Sequence, residues 1–277
     1  MVNINSNYAA SFAANAAKRT TSALDSAMER LSTGKRINYA RDDAAGQAIA
    51  TRLTAEIQGL AAASRNASDA QSMVDTADGA IQEIQTLLLR MRELAVQSSN
   101  GTLATADRAA LQMEAASLEE EITRIAQTSS WAGQNLLDGS LSDGITFQAG
   151  TKEGAGNLIT ISVGEMSVAS ATISYTAGFT IGAFTNAQSA ITQIDAALSG
   201  VSEVRGKLGG ISNRLNSTIA NMDQVRVNLQ ASQGRIADAD FAVETGNLAK
   251  NQILQQAATA MIAQANASKN TVLTLIQ

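Results

Sequence analysis

The C-terminal stretch, residues 241–277, reads FAVETGNLAKNQILQQAATAMIAQANASKNTVLTLIQ, and its only charged side chains are those of Glu244, Lys250 and Lys269. Apolar positions return at helical spacing and predict one stripe along a helix, made of Leu254, Ala257, Ala258, Met261, Ile262 and Ala265. The opposite face is rich in amides, too polar for lipid and too weakly charged for a well-solvated surface. We therefore predict a helix surrounded by other protein, in a chain that builds a polymer.

Composition favours a folded, helical protein. Hydrophobic residues make up 45% of the 277 residues, which argues against disorder, while the 3% of aromatics means that helix faces must close with Ala and Leu. The chain contains no Pro, so long helices are uninterrupted. It contains no Cys and no His, which excludes disulfides, thiolate or imidazole metal sites and catalysis based on those side chains.

Charge and hydropathy exclude several partners. The net charge is −5 and no basic run is present, so nucleic acid is not an expected partner. No stretch is long and apolar enough to predict membrane insertion. The first residues lack the basic and apolar regions of a Sec signal peptide, which leaves open an export route without a cleaved peptide.

The N-terminal part predicts an amphipathic helix over residues 9–31, with small apolar residues recurring every three or four positions. Its stripe and its Asn-rich flank are like those of the C-terminal stretch. We therefore expect the two ends to pair, the alternative being two unrelated surface helices.

Residues 32–43, STGKRINYARDD, break this helix. Gly34 is suited to ending it, and Asp42 or Asp43 to capping the next one. Charge is concentrated in this segment, at Lys35, Arg36, Arg41, Asp42 and Asp43. Two interpretations remain: a solvated loop, or a bracket that holds a terminal helix pair to a larger bundle.

Heptad spacing predicts three further helices that pack as coiled coils. The first seam consists of Ala70, Met73, Ala77, Ala80, Ile84, Leu87, Met91 and Leu94. After a turn at 98–102 the chain doubles back with a shorter seam of Leu111, Ala115, Leu118, Ile122 and Ile125. The longest seam consists of Val201, Val204, Leu208, Ile211, Leu215, Thr218, Met222, Val225, Leu229 and Ser232. Gly209 and Gly210 lower the helix propensity of this segment. They indicate a bend, a close contact with another helix, or a weakness that the helix tolerates.

Between these helices the pattern favours strands. Residues 133–140 are rich in turn formers, and short β-branched or alternating runs follow at 145–149, 158–163 and 171–175. We predict a small β-insertion over residues 139–184. The fold class is therefore mainly α, a long-helix coiled-coil bundle with paired N- and C-terminal helices and a β-rich central insertion.

The residues offer no catalytic constellation, so we expect no enzyme and no cofactor. Asp238 and Asp240 are potential ligands of a hard cation, but no further oxygen donors lie nearby in sequence. Capping of the terminal helix explains them better.

Three motifs closely resemble bacterial flagellin: LSTGKRINYARDDAAGQAIA at 31–50, RMRELAVQSSNG at 90–101, and RIADADFAVE with QILQQA within 235–257. The resemblance covers roughly residues 1–140 and 187–277. The chain departs from the family pattern at Lys35, where Leu is usual, at Leu89, where a polar residue is common, and in its short insertion.

The resemblance implies a structural subunit that polymerises into the flagellar filament, the propeller for swimming. It implies an inner-tube helix and spoke at 1–44, an outer-tube bundle at 45–138 and 185–237, a solvent-facing insertion at 139–184, and an inner-tube helix at 238–277. The polymerisation helix would use Leu254, Ala258, Met261, Ile262 and Ala265.

Partners are implied by the same resemblance. These are other copies of the chain, the flagellar cap, the hook-filament junction proteins and an export chaperone. Secretion through the flagellar type III apparatus is implied as well. Arg90, Leu94 and Glu114 match positions read by the flagellin-sensing Toll-like receptor of a host. The alternatives are a hook-filament junction protein and, in a different class, an enzyme carried by the insertion.

Overall fold

The computed structural model describes residues 6–167 and 180–274, most of which lie in long helices. These are α1 (Tyr8–Thr33), α2 (Ala44–Ser98), α3 (Thr105–Thr128), α4 (Phe184–Ala237) and α5 (Phe241–Thr274). Short strands occupy the segment between α3 and α4. The predicted fold class, mainly α with a small β-rich insertion, is confirmed.

The chain forms two compact units. One contains the residues up to Ile57 together with those from Val227 onward, and the other contains Gln58–Arg226. Both α2 and α4 contribute residues to each unit. The sequence-based boundaries, after residues 44, 138, 184 and 237, follow helix breaks instead and stay a prediction.

Local signals fix the ends of α1 and the start of α2. The side chain of Asn7 accepts a hydrogen bond from the backbone N–H of Ala10 at the start of α1. Gly34 ends that helix in the left-handed conformation, with φ of 69°, and its N–H donates to the Arg30 carbonyl at 2.9 Å. At the start of α2, Asp43 Oδ1 accepts from the N–H of Gly46 at 2.8 Å. The break predicted at residues 32–43 is confirmed.

Within residues 58–226, α2 lies antiparallel to both α3 and α4. Arg205 of α4 makes two hydrogen bonds to Asp78 of α2, and further along the pair Gln71 donates to Ser212 at 2.7 Å. At the end of α2, Arg108 of α3 donates to the Ser98 carbonyl at 3.0 Å. These bonds satisfy polar groups that flank a core of Leu, Ile, Met and Ala.

The seam of α2 differs from the predicted register at two positions. Ile81 and Leu88 are buried, whereas Ala80 and Leu87 are only partly covered. The buried positions over this stretch are 70, 73, 74, 77, 81, 84, 88, 91, 94 and 95. Both members of each neighbouring pair are apolar, so spacing alone did not decide which one faces the core.

The seam of α4 agrees with the prediction over most of its length. Its buried members are Val201, Val204, Leu208, Leu215 and Met222, while Val225 is exposed. An added Cβ at Gly209 or Gly210 would meet nothing within 4 Å. The interpretation of these glycines as a close helix contact is therefore wrong, and α4 runs through them as a helix.

The segment after α3 contains two antiparallel strand pairs. Strand β1 (Ser130–Trp131) pairs with β2 (Gln134–Asn135), and β3 (Ile145–Gln148) pairs with β4 (Leu158–Ile161). The second pair confirms two predicted strands, whereas the first pair was not predicted. The third predicted strand, at 171–175, lies outside the described residues. Several apolar side chains of this segment are buried, including those of Leu136, Leu137, Ile159, Ile161 and Met166.

Candidate assembly surface and bracket

Helices α1 and α5 form an antiparallel pair. Near one end Asn7 Nδ2 donates to the Ala265 carbonyl at 3.3 Å, and in the middle Gln255 Nε2 donates to Thr21 Oγ1 at 3.4 Å. No other helices in the described residues approach each other as closely over their length. Ala13, Ala27 and Ala258 are buried, and such small side chains permit this close approach. The predicted pairing of the two ends is confirmed.

An ion pair joins the helices at the other end. Arg30 Nη1 of α1 donates to Glu244 Oε1 of α5 at 3.0 Å, and Asn247 donates to the second carboxylate oxygen at 3.2 Å. The Glu244 side chain is only 8% exposed, while that of Arg30 is 33% exposed. Sequence reasoning missed this pair, although an isolated acidic residue in a nearly uncharged helix was an available signal.

The predicted stripe of α5 does not pack as one face. Ala258 is buried and Ile262 and Ala265 are half-buried, but Leu254 and Met261 are exposed. Within one chain α1 therefore covers only part of this stripe, and the use of all five residues in polymerisation stays a prediction. The Ala-rich helix α1 covers only a narrow strip of α5, and the apolar residues of α5 extend beyond that strip.

Large apolar side chains consequently stand in solvent on this helix pair. Phe12 of α1 is 79% exposed and Met261 of α5 is 63% exposed. The others on the two helices are Tyr8, Met28, Phe241, Val243, Ile253 and Leu254. Folded monomers rarely expose so much apolar surface unless it binds another protein. This group of side chains is named the assembly surface.

The segment 34–43, named the bracket, is tied to the chain between α4 and α5. The N–H of Arg36 donates to the Ala237 carbonyl at 2.7 Å, and the N–H of Ala239 donates to the Gly34 carbonyl at 2.9 Å. Lys35 and Asp238 are paired as an antiparallel bridge. The guanidinium of Arg36 adds a bond to the Ile236 carbonyl at 2.7 Å. A solvated loop would lack these backbone bonds, so the bracket is a structured connection.

Charged side chains of the bracket stabilise its own turn. Asp42 accepts hydrogen bonds from the backbone N–H groups of Tyr39 and Asn38, and the bond from Tyr39 is the main cause that lowers the pKa of Asp42. Arg41 stacks on the Tyr39 ring at 4.6 Å from its centre and lies 3.9 Å from Asp42. Asp43 caps α2, as predicted from the sequence.

Of the two carboxylates before α5, Asp240 caps that helix, while Asp238 takes part through its backbone in the bridge with Lys35. Asp240 Oδ1 accepts from the N–H groups of Ala242 and Val243, at 2.8 and 3.3 Å, which caps α5. Among the described residues no group of three or more acidic side chains is arranged to hold a metal ion. The capping interpretation of Asp240 is confirmed.

The three positions matched to receptor recognition lie in α2 and α3. Arg90 donates twice to Glu114 Oε1, at 3.0 and 2.7 Å, and once to Glu93 at 2.5 Å. The bond to Glu114 is the first cause that raises the pKa of Arg90. Both side chains of the Arg90–Glu114 pair are about half exposed, whereas Leu94 is fully buried. Two of the three residues are therefore accessible, and Leu94 belongs to the helix seam.

Comparison with known proteins gives this architecture a family. The model of the bacterial flagellin N-terminal helical region matches residues 4–142, and that of the bacterial flagellin C-terminal helical region matches residues 191–276. The chain belongs to the bacterial flagellin family. Flagellin of Halalkalibacterium halodurans is 47% identical over 251 residues, covering 91% of each chain. Flagellin A of Vibrio cholerae is 31% identical over an alignment that covers all of both chains.

A solved structure shows a similar fold. The structure described as a putative flagellar hook-associated protein from Vibrio parahaemolyticus has a TM-score of 0.61 and covers 71% of this chain and all of its own. Its sequence identity is 15%, so the likeness concerns the fold alone. The flagellin matches favour a filament subunit over the hook-filament junction alternative.

Family membership establishes the general role. The chain is a structural subunit that polymerises into the flagellar filament, and the family is structural, not enzymatic. In the described residues no helix has the length and apolarity needed to cross a membrane.

Proposed function

We propose that the assembly surface on α1 and α5 is the part of this flagellin that polymerises, and that other copies of the chain bury it in the filament. The exposure of Phe12 and Met261 supports this most directly. Burial of apolar area yields about 25 cal/mol per Å², so several such side chains supply a substantial part of a subunit contact.

Exposed polar side chains on the same helices indicate that the assembly surface is buried by other protein and not by lipid. Gln252, Gln256 and Gln264 are exposed on α5 between the apolar residues. Amides lose their hydrogen bonds in hydrocarbon, but they find donors and acceptors on a neighbouring protein. The proposed polymerisation residues Leu254 and Met261 contact other subunits, while Ala258, Ile262 and Ala265 hold α5 against α1.

The test is truncation together with point substitution. Removal of residues 241–277 should leave a soluble helical protein that forms no filaments. Ile253→Ala with Leu254→Ala should raise the concentration needed for assembly, measured by sedimentation. Gln252→Ala with Gln256→Ala changes exposed residues of the same helix without removing apolar area and serves as the matched control. Filaments from the truncated chain would refute the proposal.

The bracket is proposed to be the spoke that transmits changes in packing between subunits. Its support is the pairing of Gly34 and Arg36 with Ala237 and Ala239, which couples the end of α1 to the start of α5. A propeller that changes shape requires interfaces with two discrete arrangements. The charged side chains of the bracket lie at the connection that such a change in packing would alter. They are Lys35, Arg36, Arg41, Asp42 and Asp43.

Export and assembly partners follow from the family as proposals. The chain would leave the cell through the flagellar type III apparatus and add at the filament tip beneath the cap, above the hook-filament junction proteins. An export chaperone would cover α5 before assembly, since its exposed apolar residues favour aggregation. Purification of the chain from the cytoplasm of cells that lack a hook should recover such a partner, and loss of α5 should release it.

A second proposal is recognition by the host Toll-like receptor through Arg90 and Glu114, with Leu94 as the buried support of that face. The exposed Arg90 guanidinium offers forked donors, and Arg is enriched among residues that dominate interfaces. Arg90→Ala should lower potency in a receptor reporter assay by roughly tenfold or more. Arg124→Ala removes another ion-paired Arg, bound to Glu121 in α3, and is the control. Equal potency of the two variants would contradict the proposal.

A further inference from the structure

The methionines of the described residues fall into two groups by exposure. Three of them stand largely in solvent, Met28 (47%), Met113 (67%) and Met261 (63%). Four are buried, namely Met73, Met91, Met166 and Met222. Oxidation of a thioether requires access of the oxidant to sulfur. Only the exposed group is therefore open to a dissolved peroxide while the protein is folded.

Met261 lies within the assembly surface. It follows Leu254 by seven residues on α5, so both project from the same side of that helix. The bonds from Asn7 to Ala265 and from Gln255 to Thr21 show which residues of the two antiparallel helices lie opposite each other. By this alignment Met261 of α5 lies at about the same height along the pair as Phe12 of α1. Met28 of α1 also belongs to the assembly surface but is less exposed than Met261. Met113 lies in α3, which belongs to the other compact unit.

We propose that Met261 is an oxidation site at which peroxide switches off polymerisation, an inference that rests on the proposed role of the assembly surface. The sulfur attacks one oxygen of hydrogen peroxide, an S–O bond forms and the O–O bond breaks. Sulfur loses two electrons, and the peroxide is reduced to water. The product is methionine sulfoxide, which sulfoxide reductases return to methionine.

The sulfoxide changes the surface from apolar to polar. Its oxygen is a hydrogen-bond acceptor that water satisfies in the free subunit, and burial between subunits removes that water. An unsatisfied acceptor is costly in an apolar contact, so the critical concentration for assembly rises by roughly tenfold or more. Subunits already in a filament hide Met261, and their sulfur reacts more slowly than that of the free chain.

The experiment uses the full chain treated with graded hydrogen peroxide. Peptide mass mapping identifies the oxidised methionines, and sedimentation gives the critical concentration. One variant, Met28→Leu with Met113→Leu, keeps Met261 as the exposed methionine of the described residues. The other, Met261→Leu, replaces it with a side chain of similar volume, which is usually tolerated. The critical concentration of each variant after peroxide is compared with that of the same variant before treatment. It rises for the first variant and falls back with sulfoxide reductase, whereas for Met261→Leu peroxide leaves it unchanged from its own untreated value.

Several results would overturn the inference. Unchanged assembly of wild-type protein with oxidised Met261 contradicts it directly. Equal loss of assembly by Met261→Leu assigns the effect to another residue, and a drop in helicity by circular dichroism assigns it to unfolding. Failure of untreated wild-type protein to assemble through α5 overturns the proposed function, and this inference with it.

Discussion

Substitution of Glu244 tests whether the α1–α5 pair must be locked in register before subunits assemble. Glu244→Ala removes the carboxylate that accepts from Arg30 at 3.0 Å and from Asn247 at 3.2 Å. Glu244 lies in the first turn of α5, where a carboxylate also interacts favourably with the helix N-terminus, so Glu244→Ala loses that contribution together with the ion pair. We expect the variant chain to keep its bundle and to assemble less readily.

The size of the effect follows from the burial of the pair. A hydrogen bond to a charged group contributes about 1.5–3 kcal/mol to stability. The Arg30 side chain is 33% exposed, so water can rehydrate its guanidinium after the carboxylate is removed. We therefore expect Glu244→Ala to cost the lower end of this range, about 1.5 kcal/mol of stability of the α1–α5 pair. That free energy corresponds to about a tenfold rise in the critical concentration for assembly. Glu244→Gln keeps an acceptor but loses the charge, so its effect should be smaller.

Sedimentation of assembled protein over a range of subunit concentrations measures this quantity. Lys250→Ala removes an exposed charge from the same helix and is the control, with little change expected. In the double variant Arg30→Ala with Glu244→Ala, the loss should be clearly smaller than the sum of the two single losses, since the residues act as a pair. Assembly of Glu244→Ala at the wild-type concentration would refute the reasoning.

Three other predictions concern the bundle and the bracket. Leu88→Ala should lower the free energy of unfolding by about 2–5 kcal/mol because Leu88 is buried, whereas Leu89→Ala, at an exposed neighbour, should change it by less than about 0.5 kcal/mol in urea titrations. The lowered pKa of Asp42 means that its stabilisation of the turn is present above the ordinary Asp pKa of 3.8 and lost as the pH falls through the folded value. The protection of the Tyr39 amide, taken relative to the intrinsic exchange rate at the same pH, should therefore fall on acidification, and Asp42→Asn should abolish that pH dependence. Asp42→Asn with Asp43→Asn should alter filament shape in electron micrographs before circular dichroism shows any loss of helicity.

Sequence by itself determined the helices and the breaks between them. Gly34 ends α1 and Asp43 begins α2 through bonds to residues three or four positions away, so the signal and the structure are local. Heptad spacing likewise predicted the seam of α4, because repetition over many turns makes one face unambiguous. The pairing of the chain ends was predicted because the apolar stripe and Asn-rich flank of the first helix are like those of the last.

Tertiary structure decided which of two adjacent apolar residues is buried. At 80 and 81, and again at 87 and 88, either neighbour satisfies the helical period, and only the position of α3 and α4 selects Ile81 and Leu88. The same holds for α5, where packing on α1 covers Ala258 and leaves Met261 in solvent. The contact between Arg30 and Glu244 joins residues far apart in the chain, and no local rule predicts such a partner. Burial and pairing across distant segments depend on how the helices are placed, which is why the sequence predicted the apolar stripe of α5 but not which of its residues stay exposed beside α1.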